Sequence, residues 1–399
     1  MDFLISESFR NHGFRQKDIE KALIYEAIVD SNETTRKRLY QDLRMRPNNI
    51  SFAVQELLDG DLIYEDNLVK NSKQGRPEIL IKPNLEKLVS ISMWVESSRL
   101  ASAIINIKGE KKNKQEVEVP SNVSNSQFLG IVTKQIDLLL NNISGRQRLL
   151  GIGLSLPGVV NHFDSRWIFN SRWPDVRNLD FSKVSDRYQV PIYLCRMLEA
   201  ELQAMVLRRK PLQDKSVVLL HWGYGIGAAF FSDGKVFQSG FGSTFEIGHI
   251  KTASVNSEKQ CTCRETGCLE TIASGWALFP DLEKKYGKFS ENEAEVGQKL
   301  AEINPEDEPA LITAEKAIAQ AVNTLVRIVY PDVILAYGPF LSNPVLRQLF
   351  FSEIKNLVPY YMKDYITLEV VDGELSNLDC IGSTVGFFKS KLLQLLVAG

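Results

Sequence analysis

The sequence has little net charge, few histidines and cysteines, and no sign of an export or membrane segment. Its 47 basic and 49 acidic residues leave a formal charge of −2, so no overall field draws the chain to nucleic acid or to an anionic membrane. Residues 1–14 lack a basic stretch followed by an apolar run, and no apolar run of 18 residues is evident. We therefore expect a cytoplasmic protein without membrane contact, in which any DNA contact comes from a local patch.

The five cysteines are too few and too unevenly spaced for a disulfide framework. Three lie together, whereas Cys195 and Cys380 stand alone, and an odd number in a chain without an export signal argues against pairing. Three thiolates and one imidazole satisfy tetrahedral Zn²⁺, and sites closed by four protein ligands are structural. The alternative is a set of buried reduced cysteines, and His249 is the least certain ligand by spacing alone. The sequence thus predicts a structural zinc site at His249, Cys261, Cys263 and Cys268.

The chain is long enough for two or three domains, and its N-terminal part has the pattern of a winged helix-turn-helix. Apolar residues at helical spacing predict three helices, with Thr34 or Thr35 as the N-cap of the second and Gly60 at the end of the third. Two extended segments then predict a hairpin. The helices are expected at 18–31, 35–45 and 47–60, and the strands at 62–65 and 77–83.

Basic and amide side chains mark where this N-terminal part would meet DNA. Residues 1–85 hold 13 basic and 14 acidic residues, a charge of −1, so the argument rests on their distribution. Arginine and lysine at helix-turn-helix and wing positions bind phosphates, and asparagine and glutamine can bond adenine edges. A helical protein-interaction domain is the alternative. The candidate DNA-binding residues are Arg36, Lys37, Arg46, Asn48, Asn49, Ser51, Gln55, Lys73 and Arg76.

Beyond residue 88, β-branched strands alternate with helices, which indicates an α/β body with mixed sheets. Motifs in this body resemble the ROK family (repressors, open reading frames and sugar kinases). Residues 246–249 match its Glu-x-Gly-His, and residues 261–270 resemble its Cys-x-Cys-Gly-x-x-Gly-Cys-x-Glu, with Arg264 in place of the first glycine. Residues 223–227 resemble its second phosphate loop. The likeness runs from about residue 15 to 395.

The resemblance implies a fold and a domain organisation. The expected fold class is α/β: a winged helix-turn-helix followed by a two-lobed, actin-like ATPase (ROK) fold with a zinc-stapled loop. The DNA-binding domain would span 1–84, and the ligand-binding and oligomerisation domain 85–399. The two lobes would be about 85–198 plus the C-terminal end, and 199–380. The family also implies homodimers or homotetramers, which suit paired half-sites in DNA.

Departures from the family's kinase motifs argue against catalysis. Where family kinases carry Asp-x-Gly-x-Thr for the ATP phosphates, this chain has Trp94, Glu96 and Ser98. The catalytic Asn-Asp pair falls on Arg196 and Met197, and a methionine cannot be a general base. We therefore expect no catalytic residue and no enzyme activity.

The sugar-facing half of the family site is retained. Carboxylates and an imidazole suit hydroxyl-rich ligands, although Glu246 and Glu270 could instead support the zinc loop. Arg196 would favour an acidic or phosphorylated sugar over a neutral hexose, unless ligand binding has been lost. The candidate sugar-binding residues are Gly158, Arg196, Glu246, His249 and Glu270.

These expectations combine into a DNA-binding transcriptional regulator, most simply a repressor of carbohydrate genes. Its partners would be an operator in double-stranded DNA and a sugar or sugar-derivative effector, with Zn²⁺ as structural cofactor. Two alternatives stay open. One is an ATP-dependent sugar kinase with an added DNA-binding domain, and the other is a regulator controlled by a protein partner through contacts such as the C-terminal helix.

Overall fold

The N-terminal part of the chain folds as three helices followed by a hairpin. The computed structural model describes residues 14–69, 78–242, 244–252, 259–371 and 378–397. Thr35 caps the second helix by accepting a hydrogen bond from the Arg38 amide at 3.2 Å, and Gly60 follows the third, as predicted. The elements are α1 (Gln16–Ser31), α2 (Arg36–Leu43), α3 (Pro47–Asp59), β1 (Ile63–Val69) and β2 (Glu78–Pro83), with β1 and β2 antiparallel.

A small apolar core holds these elements together. The side chains that face it are at most 3% exposed, and burying each of them stabilises the fold by about 1.5–3 kcal/mol. They come from every helix and from both strands: Ile24, Ile28, Leu39, Ile50, Val54, Leu57, Ile63 and Ile81. Because α3 buries one face only, its opposite face is free to contact another molecule.

The first lobe of the body is built on a five-stranded mixed sheet in the order β10-β6-β3-β4-β5. The neighbours β3–β4 and β4–β5 are antiparallel, whereas β3–β6 and β6–β10 are parallel. A smaller sheet, β7-β8-β9, lies between β6 and β10 in the sequence. The strands are β3 (Leu88–Glu96), β4 (Arg99–Asn106), β5 (Lys111–Glu118), β6 (Arg148–Leu156), β7 (Val159–Asn161), β8 (Arg166–Phe169), β9 (Leu179–Asp180) and β10 (Ile192–Arg196). The helices are α4 (Asn125–Leu140) and α5 (Ser182–Tyr188).

The second lobe repeats the plan with the order β13-β12-β11-β14-β15. Here β11–β12 is antiparallel, and β11–β14 and β14–β15 are parallel. Its strands are β11 (Val217–Trp222), β12 (Ile226–Ser232), β13 (Lys235–Val236), β14 (Val333–Tyr337) and β15 (Thr367–Val370). The helix α6 (Met197–Arg208) connects the lobes, and α7 (Glu270–Ala273), α8 (Gly275–Tyr286), α9 (Glu293–Ala301), α10 (Pro309–Val329) and α11 (Pro344–Leu357) follow.

Two C-terminal helices return to the first lobe. The helix α12 (Asp379–Gly382) packs on α6 so closely that a Cβ on Gly382 would lie 1.9 Å from the Ala200 carbonyl oxygen. The helix α13 (Val385–Val397) contacts β6 and also α1 of the N-terminal part. Its buried residues are Val385, Phe388, Leu392 and Leu396, which supports core packing for this helix.

The C-terminal stretch corrects one expectation from the sequence. Asp379–Val397 is long and apolar enough to cross a membrane by length and composition, with a mean hydropathy of 1.2, although we expected no such run. Half of it is buried inside the fold, and it is divided between α12 and α13. A core helix has this same composition.

Candidate functional site

The predicted metal ligands come together in the structure. His249 ends a short 3₁₀ helix, Ile247–His249, and the three cysteines lie in the loop that leads to α7. The four donor atoms all lie within 4.8 Å of one another. Cys263 Sγ is 3.7 Å from Cys268 Sγ, and Cys261 Sγ is 3.5 Å from His249 Nδ1. A tetrahedron with Zn–S of ~2.3 Å and Zn–N of ~2.0 Å has edges of about 3.8 and 3.5 Å. The cluster therefore fits a metal ion of zinc's size.

The backbone around the cysteines is arranged for this cluster. Gly267 has φ +75°, as expected for the turn before the last ligand. Arg264 stands where the family pattern has glycine and still adopts φ +76°, an uncommon conformation for a residue with a Cβ. Lys251 Nζ lies 3.3 Å from Cys268 Sγ and 2.6 Å from a Glu265 carboxylate oxygen. Burial raises the pKa of the Cys268 thiol, and the positive charge of Lys251 opposes that effect in part.

Arg196 joins the two lobes. It is the last residue of β10 in the first lobe and only 5% exposed. Its Nη1 donates to the carbonyl oxygens of Ala228, at 3.1 Å, and Thr244, at 2.6 Å. The same atom lies 3.2 Å from Glu246 Oε1. A buried guanidinium without a counterion is costly, so this ion pair fixes both side chains.

The remaining predicted sugar-site residues are placed near this pair. Glu246 Oε2 is 3.8 Å from His249 Nε2, so the imidazole lies between the cysteine cluster and the Glu246 carboxylate. Glu270 is buried and uses both oxygens internally, accepting from the Ile226 amide at 2.8 Å and from Trp276 Nε1 at 3.1 Å. That geometry gives Glu270 a supporting role for the loop before β12.

Gly158 shapes the turn between β6 and β7. Its φ is +77°, and a Cβ at this position would lie 2.3 Å from the Phe169 carbonyl oxygen. Both the backbone conformation and the lack of space require glycine here.

A second polar group beside Arg196 was not predicted. Gln238 Nε2 donates to Glu199 Oε2 at 2.9 Å and to the Tyr193 hydroxyl at 3.1 Å. Burial raises the pKa of Glu199 to about 7. Glu199 lies in the first turn of α6, three residues after Arg196, and this closeness in the chain was the one sequence signal for it.

We call the interlobe region around Gly158, Arg196, Glu246, His249 and Glu270 the cysteine end.

A second group of interlobe residues, which we call the acidic end, consists of Trp94, Glu96, Glu201, Tyr337 and Asp379. Trp94 is buried, and its Nε1 donates to Glu96 Oε1 at 2.6 Å. The Tyr337 hydroxyl donates to Glu201 Oε2. Asp379 accepts from the Ser155 hydroxyl at 3.3 Å and from the Cys380 amide at 2.8 Å.

Burial and mutual repulsion keep protons on the acidic end. Burial raises the pKa of Asp379 to about 7, with a further contribution from the charge of Glu96. Burial, followed by the charge of Asp379, raises the pKa of Glu201 well above its ordinary value.

The predicted DNA-contacting residues of α3 are exposed. Asn48, Asn49, Ser51 and Gln55 all lie on the solvent side of the helix, and Arg46 precedes it. Asn49 Nδ2 donates to Glu20 at 2.8 Å, and Gln55 Nε2 donates to Asp59 at 2.9 Å. The two amides would have to release these surface hydrogen bonds before they could donate to DNA bases.

The α2 side chains that were predicted to bind DNA phosphates form ion pairs within the protein. Arg36 pairs with Glu65 at 2.6 Å, and Lys37 pairs with Glu78 at 3.1 Å. Surface ion pairs are weak, so phosphates could replace these carboxylates. Lys73 and Arg76 lie outside the described residues.

Fold and site together define a class: a two-lobed, sugar-kinase-like body that carries a cysteine–histidine loop and a winged helix-turn-helix. The chain belongs to the ROK family, which matches residues 95–383. The predicted family membership is thereby confirmed.

Relatives of the chain include both regulators and kinases. It is 23% identical to the DNA-binding transcriptional repressor Mlc of Escherichia coli over 68% of this chain and 66% of Mlc. It is 23% identical to a xylose repressor of Bacillus subtilis over 69% of this chain and 70% of the repressor. A glucokinase of Halalkalibacterium halodurans is 30% identical over 47% of this chain and 57% of the kinase. The repressors support the prediction of a sugar-responsive transcriptional repressor.

Solved structures support the fold. A ROK family transcriptional regulator described as a homologue of Escherichia coli Mlc has a TM-score of 0.73 and 20% identity, covering 96% of this chain and 99% of that chain. A ROK hexokinase from Thermus thermophilus has a TM-score of 0.60 and 17% identity, covering 76% of this chain and 99% of that one. Both matches confirm the actin-like fold of the body. The match to the regulator also includes the N-terminal part of this chain, which we call the head, and agrees with the expected winged helix-turn-helix there.

Proposed function

We propose that this protein is a DNA-binding transcriptional repressor of carbohydrate genes that responds to a sugar derivative and has no kinase activity. The observation that carries the proposal is the combination, in one chain, of a helix-turn-helix with an exposed polar face and a sugar-kinase-like body without a general base at Met197. Relatives of this family named as repressors support it.

The acidic end supports the lack of phosphotransfer. Glu96 brings a carboxylate to the position of the family's first phosphate motif, held there by Trp94 and by Lys114 at 3.3 Å. A coupled ATPase assay with a panel of sugars tests this directly. We expect no turnover above background. Sustained turnover with any sugar would instead favour the kinase alternative.

DNA binding is tested by selecting bound duplexes from a random pool, with and without candidate sugars. Arg46→Ala should weaken binding to all duplexes, because a phosphate contact carries no sequence information. Asn49→Ala should relax the preference at one base position. Recovery of no enriched sequence would count against the repressor function.

The Arg196–Glu246 pair supports an anionic effector. A neutral sugar must compete with Arg196 for Glu246, whereas a carboxylate or phosphate on the sugar can replace Glu246 as counterion and free it for hydroxyl groups. Thermal-shift measurements with glucose, gluconate and glucose 6-phosphate distinguish the two. We expect stabilisation by an anionic sugar and little effect of glucose. Stabilisation by glucose alone would contradict this assignment.

Three further elements complete the proposal. Zn²⁺ would occupy the cluster of His249, Cys261, Cys263 and Cys268, whose spacing fits its tetrahedral geometry. The DNA-binding domain would comprise 1–84 and the ligand-binding domain 85–399. A homodimer or homotetramer in the cytoplasm would place two heads on paired half-sites.

A further inference from the structure

Phe52 lies exposed on the helix proposed to read DNA. Its exposed fraction is 73%, the largest among the phenylalanines that the structure describes. The core of the head is formed instead by the other face of α3, through Ile50, Val54 and Leu57. The fold therefore does not need an aromatic residue at position 52.

The neighbours of Phe52 on its helix face are polar and exposed. Asn48 and Asn49 lie four and three residues before it, and Gln55 lies three residues after it, so all of them share one surface. Phe52 is thus a single apolar side chain surrounded by amides, on the element that enters the major groove in helix-turn-helix proteins.

Base edges in the major groove offer one apolar group. They carry hydrogen-bond donors and acceptors, together with the C5 methyl of thymine, which phenylalanine can contact. Amide side chains cannot recognise that methyl, whereas an exposed aromatic ring can bury it. We propose that Phe52 is a specificity-determining residue that contacts a thymine methyl in the operator, an inference that rests on the proposed DNA binding.

The contact differs physically from the electrostatic ones. Phe52 carries no charge, so it releases no counterion, and its loss should leave the salt dependence of binding unchanged. Loss of Arg46 should make the slope of log binding constant against log salt concentration smaller by about one, the contribution of a single phosphate contact. Salt titration therefore separates an apolar base contact from a general weakening of the head.

The test uses the full-length protein and the best duplex from the selection described above. Each thymine in a half-site is replaced in turn by deoxyuridine, which removes only the methyl group. We expect one replacement to weaken wild-type binding about 4-fold, as for ~0.8 kcal/mol per buried methyl-sized group. Phe52→Ala should bind the thymine and deoxyuridine duplexes equally, with an unchanged salt dependence.

Phe163→Ala is the matched control, because it removes a phenylalanine of similar exposure (64%) from the body. It should retain the full preference for thymine. A wild type that is indifferent to every replacement, or a Phe52→Ala variant that keeps the preference, would overturn the inference. Uniformly weaker binding of Phe52→Ala to all duplexes would also overturn it. If wild-type protein enriches no duplex, the repressor function itself fails.

Discussion

The two ends of the interlobe region hold their polar side chains in different ways. The cysteine end has a donor set with metal-like spacing and places Glu246, His249 and Arg196 in contact. The acidic end packs the Trp94 indole beside carboxyl groups, and burial raises the pKa of one of them, Asp379, to about 7. The comparison shows that one body can satisfy buried polar groups by ion pairing in one place and by holding protons in another.

The largest effect should come from the metal ligands. Cys268→Ser removes one of four donors, and structural zinc sites need all of them, so the purified variant should lose most of its bound metal. Its melting temperature should fall by several degrees. Elemental analysis together with thermal unfolding measures both effects.

Cys195→Ser is the control, because Cys195 is buried on β10 away from the cluster. It should keep the metal content of the wild type. If Cys268→Ser retained as much metal as Cys195→Ser, the cysteine cluster would not be the metal-binding site.

Gly158→Ala should strongly destabilise the cysteine end. The new methyl would lie 2.3 Å from a carbonyl oxygen, so the turn must move, at a cost of roughly 2–4 kcal/mol in the free energy of unfolding. Gly234 has nearly the same φ, +76°, but a Cβ there meets nothing within 4 Å. Denaturant unfolding of Gly234→Ala should therefore show only the backbone strain, about 1 kcal/mol. Equal losses in both variants would mean that Gly158 is required for its conformation alone.

Arg196→Ala should destabilise the protein by roughly 2–3 kcal/mol, since it leaves Glu246 without its counterion in a partly buried site. Arg187→Ala breaks the exposed Arg187–Asp137 pair and should cost less than ~0.5 kcal/mol. Chemical denaturation compares the two. A small loss for Arg196→Ala would show that the pair does not hold the lobes together.

Asp379→Asn should change the free energy of unfolding least of these variants, and the change should depend on pH. The folded protein holds the Asp379 proton up to about pH 7, whereas an unfolded chain releases it near 3.8. Stability is therefore lost as the pH rises from about 4 through about 7. The variant removes this loss, so its free energy of unfolding relative to the wild type should be higher at pH 8 than at pH 5, measured by thermal unfolding at both. A parallel pH profile for variant and wild type would contradict a buried neutral carboxyl.

Local patterns predicted the helices and hairpin of the head and the cysteine cluster, because both are encoded by nearby residues, whereas the two-lobed fold of the body was implied by the resemblance to the ROK family. Helical spacing and Thr35 fixed the head, and the spacing of the three cysteines identified the loop. His249, uncertain from spacing, lies 3.5 Å from Cys261. The contacts that the sequence did not predict join distant segments: Arg196 with Glu246 across the cleft, and Tyr337 with Glu201, 136 residues apart. Pairings of this kind depend on how two sheets meet, which no local pattern specifies.

The course of the C-terminal helices gives the body a direct mechanical connection to the head. At one end, Gly382 of α12 is pressed against α6, the helix that joins the lobes. At the other end, α13 packs on α1 of the head. We therefore expect a displacement of α6 to reach the head through these two packed helices as well as through the chain that connects head and body.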